Sequence, residues 1–128
     1  MHSEEYIEGA KKTEPSDTRY EDAFNRLGHI NTMRLLHAGM GVSTEAGEFL
    51  DALKKYVFYG KPVDEVNLKE EIGDLFWYCA IACDVLGVNF ESIMERNIDK
   101  LRARYPNNFT EDSAQNRDLA TERKILEG

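Results

Sequence analysis

Basic residues are the minority charge in this chain: 16 Lys and Arg stand against 24 Asp and Glu, for a formal net charge of −8. A surface of that balance repels phosphate backbones and anionic bilayers, so neither nucleic acid nor a membrane is the expected partner. Any phosphate compound would have to be met through a bound cation or a local basic patch. Cysteine is scarce as well. Cys79 and Cys83 sit in one apolar run; they are too few for a disulfide scaffold and read as small buried hydrophobes in a reducing compartment. Long hydrophobic runs are missing. The longest, Ile72–Val88, is interrupted by Gly73, Asp74 and Asp84 and is short for a bilayer. No apolar stretch of signal-peptide type follows Met1. The expectation is a soluble, cytoplasmic protein. Nowhere do apolar and polar residues alternate strongly enough to mark a strand.

What is present is helical periodicity. The 128 residues suffice for one domain with a core. Residues 1–17 are polar and read as a flexible N-terminal arm, 18–106 as the folded domain, and 107–128 as a polar C-terminal tail with a weak sign of a short helix at Leu119–Leu126. Within the domain, Tyr20, Phe24, Leu27, Ile30 and Met33 form one stripe at helical spacing. Val42, Ala46, Phe49, Leu50, Leu53 and Val57 form a second, ended by the Tyr59-Gly60-Lys61-Pro62 stop. Leu68, Ile72, Leu75, Phe76, Cys79, Cys83 and Leu86 form a third, stopped at Gly87. Phe90, Ile93, Met94, Ile98 and Leu101 form a fourth, stopped before Pro106. Four helices with short connections predict an all-α, four-helix antiparallel bundle.

Two of these helices carry acids in the same arrangement. Glu45-Ala46-Gly47-Glu48 lies on the second and Glu71-Ile72-Gly73-Asp74 on the third. At about 100° per residue, Glu45 and Glu48 fall about 100° and 160° from the apolar centre at Ala46, and Glu71 and Asp74 fall at the same angles from Ile72. Packed antiparallel, the two helices would turn all four carboxylates to one side. Four clustered anions must take up protons or bind cations, and an oxygen-only donor set suits hard Mg²⁺ or Mn²⁺ rather than Zn²⁺. Gly47 and Gly73, each next to an acid, would let a neighbouring helix or a ligand come close. A solvated acidic face is the bland alternative; the repetition of flank and glycine argues against it. Glu70 points elsewhere on its helix, and Asp51 reads as solvated.

The segments HAGMGVSTEAGEFLDALKK, YGKP, NLKEEIGDLFWY and NIDKLRARYP together resemble the MazG-like nucleoside triphosphate pyrophosphohydrolases, from about His37 to Pro106. The resemblance implies an all-α, Mg²⁺-dependent hydrolase, similar in architecture to all-α dUTPases, that cleaves a nucleoside triphosphate to monophosphate and pyrophosphate. It implies that Glu45, Glu48, Glu71 and Asp74 are the metal ligands and that Asn97 and Lys100 contact the nucleotide. It matches Arg104 and Tyr105 to the family's R-Y-P ending as further substrate residues, and it implies a homodimer or homotetramer. On this reading Glu45 or Glu48 activates the attacking water, and Lys100 and Arg104 hold the phosphate tail. Asn97, Lys100 and Arg104 share one helical face, which without the resemblance reads as an ordinary solvated face. Trp77, on the back of its helix, suits a subunit interface, and His29 and His37 read as structural or solvent-facing. A di-iron bundle would need Glu-x-x-His, which the chain does not contain. A nucleotide-sensing or partner-binding bundle without turnover is the remaining alternative.

Overall fold

A computed structural model describes residues 2–128, and among them every regular element is an α-helix. They are α1 (Ser3–Thr13), α2 (Asp17–Leu27), α3 (Ile30–Tyr59), α4 (Glu65–Leu86), α5 (Phe90–Arg104), α6 (Glu111–Gln115) and α7 (Leu119–Glu127). The stop signals act as read. Gly60 and Gly87 cap α3 and α4 in the left-handed region, each at φ 65°, a conformation open to glycine at little cost. Asp64 opens α4 by accepting from the backbone N–H groups of Val66 and Asn67, and Asn89 opens α5 by accepting from Ser92. α5 ends at Arg104, one residue short of the position before Pro106.

Helix boundaries differ from expectation at the first stripe. Tyr20, Phe24 and Leu27 belong to α2, whereas Ile30 and Met33 open α3, because the chain breaks at Gly28-His29. Glycine before an extended His29 interrupts the ladder that apolar spacing alone carries through. The second helix therefore begins at Ile30, well ahead of Val42. The segment read as an arm carries α1, none of whose residues is buried, and the polar tail carries α6 and α7.

α3 and α4 are the backbone of the molecule. They run antiparallel: the turn Gly60–Asp64 joins them at one end, and Arg34 pairs with Asp84 at the other. One glycine makes their approach possible. A Cβ on Gly41 would overlap the ring of Tyr78, which lies across it, while Gly47 and Gly73 have nothing within 4 Å of that position. Helix contact thus needs Gly41, and the expectation that Gly47 and Gly73 admit a neighbouring helix is not met within the chain. α2 rests on α3, and α5 rests on α7.

Little of the apolar surface is enclosed. Among the described residues only Ala38 and Cys83 are buried hydrophobics, while Phe58 is 76% exposed and Phe76 63%. The two cysteines are free. The accessible surface is 10553 Å², against roughly 6900 Å² for a compact monomer of this mass. Among the described residues no helix is long and apolar enough to cross a membrane.

Candidate metal centre

The antiparallel register brings α3's Glu45 opposite α4's Glu71 and Asp74, so that one carboxylate oxygen of each lies within 4.8 Å of the other two. Their environments differ. Asp74 is exposed, Glu45 is half-buried and Glu71 is 4% exposed. Asn67, one turn before Glu71 on the same helix, donates from Nδ2 to Glu71 Oε1 at 2.6 Å. Glu71 Oε2 is buried and has no hydrogen-bond partner among the described residues. A buried carboxylate oxygen without a donor is costly and calls for a ligand.

Glu45 registers the crowding. Partial burial first, then the charge of Glu48, the contact with Glu71 and the charges of Asp74 and Glu71 push its carboxyl above the usual range. Oxygens around Mg²⁺ sit at about 2.0–2.1 Å from the ion, hence about 3–4 Å from one another, so the triplet needs only a small contraction to hold one. All donors are carboxylate oxygens, which suits a hard divalent cation.

Of the four acids expected at the site, the structure gathers three. Glu48 is exposed and lies outside the triplet. One turn along α3, it faces a cleft of about 350 Å³ that runs from Glu71 toward the α3–α4 turn. Lys55, Lys61 and Asn67 also line this cleft, and sequence reasoning passed over all three as site residues. A signal was available for Asn67, which stands four residues before Glu71, the spacing at which a helical amide and carboxylate meet. Lys61 enters the sequence reading through the stop signal and the YGKP segment, with no site role. Asp51 is not free: Lys55 at 2.6 Å and Lys54 at 3.2 Å pair with it and hold its carboxyl below the usual range.

The residues expected on α5 lie elsewhere. Lys100 donates to Asn97 Oδ1 at 2.7 Å on an exposed face; α5 packs chiefly on α7 and meets α4 where Phe90 lies edge-on to Phe76, ring centroids 6.4 Å apart. Arg104 makes a two-pronged contact with Glu122 of α7, Nε to Oε1 and Nη2 to Oε2, each 2.8 Å, and its guanidinium also lies over the Tyr105 ring. Tyr105 in turn leans on Phe109, with ring centroids 5.3 Å apart. Trp77 is 56% exposed and meets Tyr78 edge-on, as does His37.

The MazG nucleotide pyrophosphohydrolase domain matches residues 36–109. The chain belongs to the MazG family. This MazG domain spans most of α3, the turn and all of α4 and α5, so the carboxylate triplet lies within it, while α6 and α7 lie beyond. Gene 37 protein of Mycobacterium phage L5 is 31% identical over 87 residues, which cover 65% of this chain and 76% of that protein. No solved structure gives a significant match to the chain.

Proposed function

We propose that this MazG domain is a Mg²⁺-dependent hydrolase that cleaves a nucleoside triphosphate, ribo or deoxy, to the monophosphate and pyrophosphate. The observation that carries the reading is Glu71 Oε2, buried without a partner beside Glu45 and Asp74. An arrangement that leaves this oxygen bare is hard to explain as structural, and membership of a nucleotide pyrophosphohydrolase family supplies the matching chemistry.

Glu45, Glu71 and Asp74 would hold the cation, with Mn²⁺ an acceptable substitute, and Glu48 would join them if its side chain swung inward. When bound, the ion supplies charge neutralisation between an acidic protein and an anionic substrate. The chain's own residues do the rest. Asn67 fixes the rotamer of Glu71 by holding Oε1. Glu45, which does not line the cleft, accepts the proton of the attacking water, the role that sequence reading shared between Glu45 and Glu48. The water oxygen bonds to the α-phosphorus, the bridge to the β-phosphate breaks, and pyrophosphate leaves with the electron pair.

Assembly belongs to the same proposal. The excess of exposed surface, well beyond the roughly 800 Å² per partner of a standard interface, supports a homodimer or homotetramer in which a second copy completes the four-helix bundle. Asn97 and Lys100 would then reach the nucleotide from a neighbouring subunit. Arg104 reaches a phosphate only by releasing Glu122, and Tyr105 follows it.

Pyrophosphate release from a panel of nucleoside triphosphates, with Mg²⁺ and with EDTA, tests the reading. Release from at least one nucleotide, abolished by EDTA with helix content unchanged, is expected. Nucleotide binding without release from any of them would instead favour a sensor.

A further inference from the structure

The cleft between the triplet and the α3–α4 turn has a charge pattern of its own. Four acids border it, yet two are already engaged. Asp51 is held by Lys54 and Lys55, and Asp64 accepts from two backbone N–H groups at the start of α4. Glu71 lines the inner end, with its bare Oε2. On the opposite side of the account, Lys55 is shared with Asp51, whereas Lys61 makes no ion pair among the described residues. The cleft therefore offers one ammonium with no ion-pair partner among the described residues, on the turn that joins α3 to α4. Its lining contains no aromatic side chain, so a nucleobase entering it would find nothing to stack on. A volume of about 350 Å³ lies at the low end for small-molecule sites.

We propose that this cleft seats the pyrophosphate half of the substrate, with the Lys61 ammonium as the cation that receives the leaving group. The inference rests on the hydrolase reading above and deepens it. The α-phosphate sits at Glu45, Glu71 and Asp74, and the β- and γ-phosphates extend toward the turn. As the bond to the α-phosphorus breaks, negative charge grows on the departing bridge oxygen and its pyrophosphate, and Lys61 stabilises that charge as a point cation. The nucleoside half lies on the other side of the triplet, away from the turn.

The test compares wild type with Lys61→Met, which keeps the stem and removes the charge, and with Lys61→Arg, which restores it. Calorimetry with inorganic pyrophosphate plus Mg²⁺, with Mg²⁺ alone, and with a nucleoside monophosphate plus Mg²⁺ separates the halves of the site. Lys61→Met is expected to weaken pyrophosphate about tenfold, equivalent to about 1.4 kcal/mol. Mg²⁺ and monophosphate binding should be unchanged, kcat/KM for a triphosphate should fall, and Lys61→Arg should recover most of the loss. Equal pyrophosphate affinity in wild type and Lys61→Met overturns the proposal. So does a matching loss of Mg²⁺ affinity, which would make Lys61 a support of the carboxylates. The two readings fail separately. Lys61-dependent pyrophosphate binding without turnover of any triphosphate leaves the cleft standing and removes the hydrolase. Turnover that ignores Lys61 does the reverse.

Discussion

Two glutamates are buried to the same depth in this chain, Glu71 on α4 and Glu122 on α7, each 4% exposed. Glu122 receives both prongs of Arg104 and a second pair of contacts from Arg117, the shorter at 2.5 Å. Its hydrogen bonds with Arg104 and Arg117 hold its carboxyl well below the ordinary range, at about 2. Glu71 has one amide donor, one bare oxygen and two further acids for neighbours. The first arrangement is complete and clips the C-terminal helix onto α5. The second is incomplete and accumulates like charge, the condition under which a protein binds a cation. Burial of an acid is uninformative until its partners are counted.

The contrast breaks most readily at Glu71. Glu71→Gln should lower turnover by about 10²–10³-fold, the scale on which a preorganised electrostatic contact acts. In metal-free buffer the same variant should melt higher than wild type, since one anion has left the cluster. A lower melting point there would make Glu71 structural, like Glu122. The mirror experiment is Glu122→Gln. With two guanidiniums left facing a neutral amide, the melting temperature should drop by at least about 5 °C, on the order of the shift that single-site stability losses produce in a chain this size. Turnover at a temperature where the variant stays folded should hold near wild type, and a collapse of kcat would show that the clip also serves the site.

A smaller loss is expected from Gly41→Ala, because the new methyl must displace the Tyr78 ring between α3 and α4. Overpacking of this kind costs about 1–3 kcal/mol; an unchanged denaturation midpoint would mean the ring swings aside freely. The smallest effect is in pH. The Glu122 carboxyl titrates near 4.5 when unfolded and about 2 when folded. As pH falls, the unfolded chain takes up the proton first, so the contribution is whole above about 4.5 and disappears between there and about 2. Acid titration of stability in wild type and Glu122→Gln should diverge above that window and converge below it.

Much of the α3–α4 pair was legible in the residues. Stripe and stop are local: Gly60 and Gly87 act within a turn of their own position, and the shared angular placement of Glu45 and Glu71 needs only helix geometry. The break at Gly28-His29 was not legible, because the apolar spacing runs straight through it. Gly41 passed unnoticed while Gly47 and Gly73 drew attention, since adjacency to an acid is visible in one dimension and adjacency to Tyr78 is not.

Composition, periodicity and acid spacing by themselves determined that the chain is helical, that two helices carry matched acidic flanks, and that hard cations suit them. Those properties depend on residues a few positions apart, where backbone geometry is nearly constant. Only the tertiary structure decided that Glu45, Glu71 and Asp74 converge while Glu48 stands aside in a cleft with Lys61, and that Arg104 is held by Glu122. Axial register between helices sets these distances, and a shift of one residue, about 1.5 Å of rise and about 100° of turn, is enough to change which side chains meet.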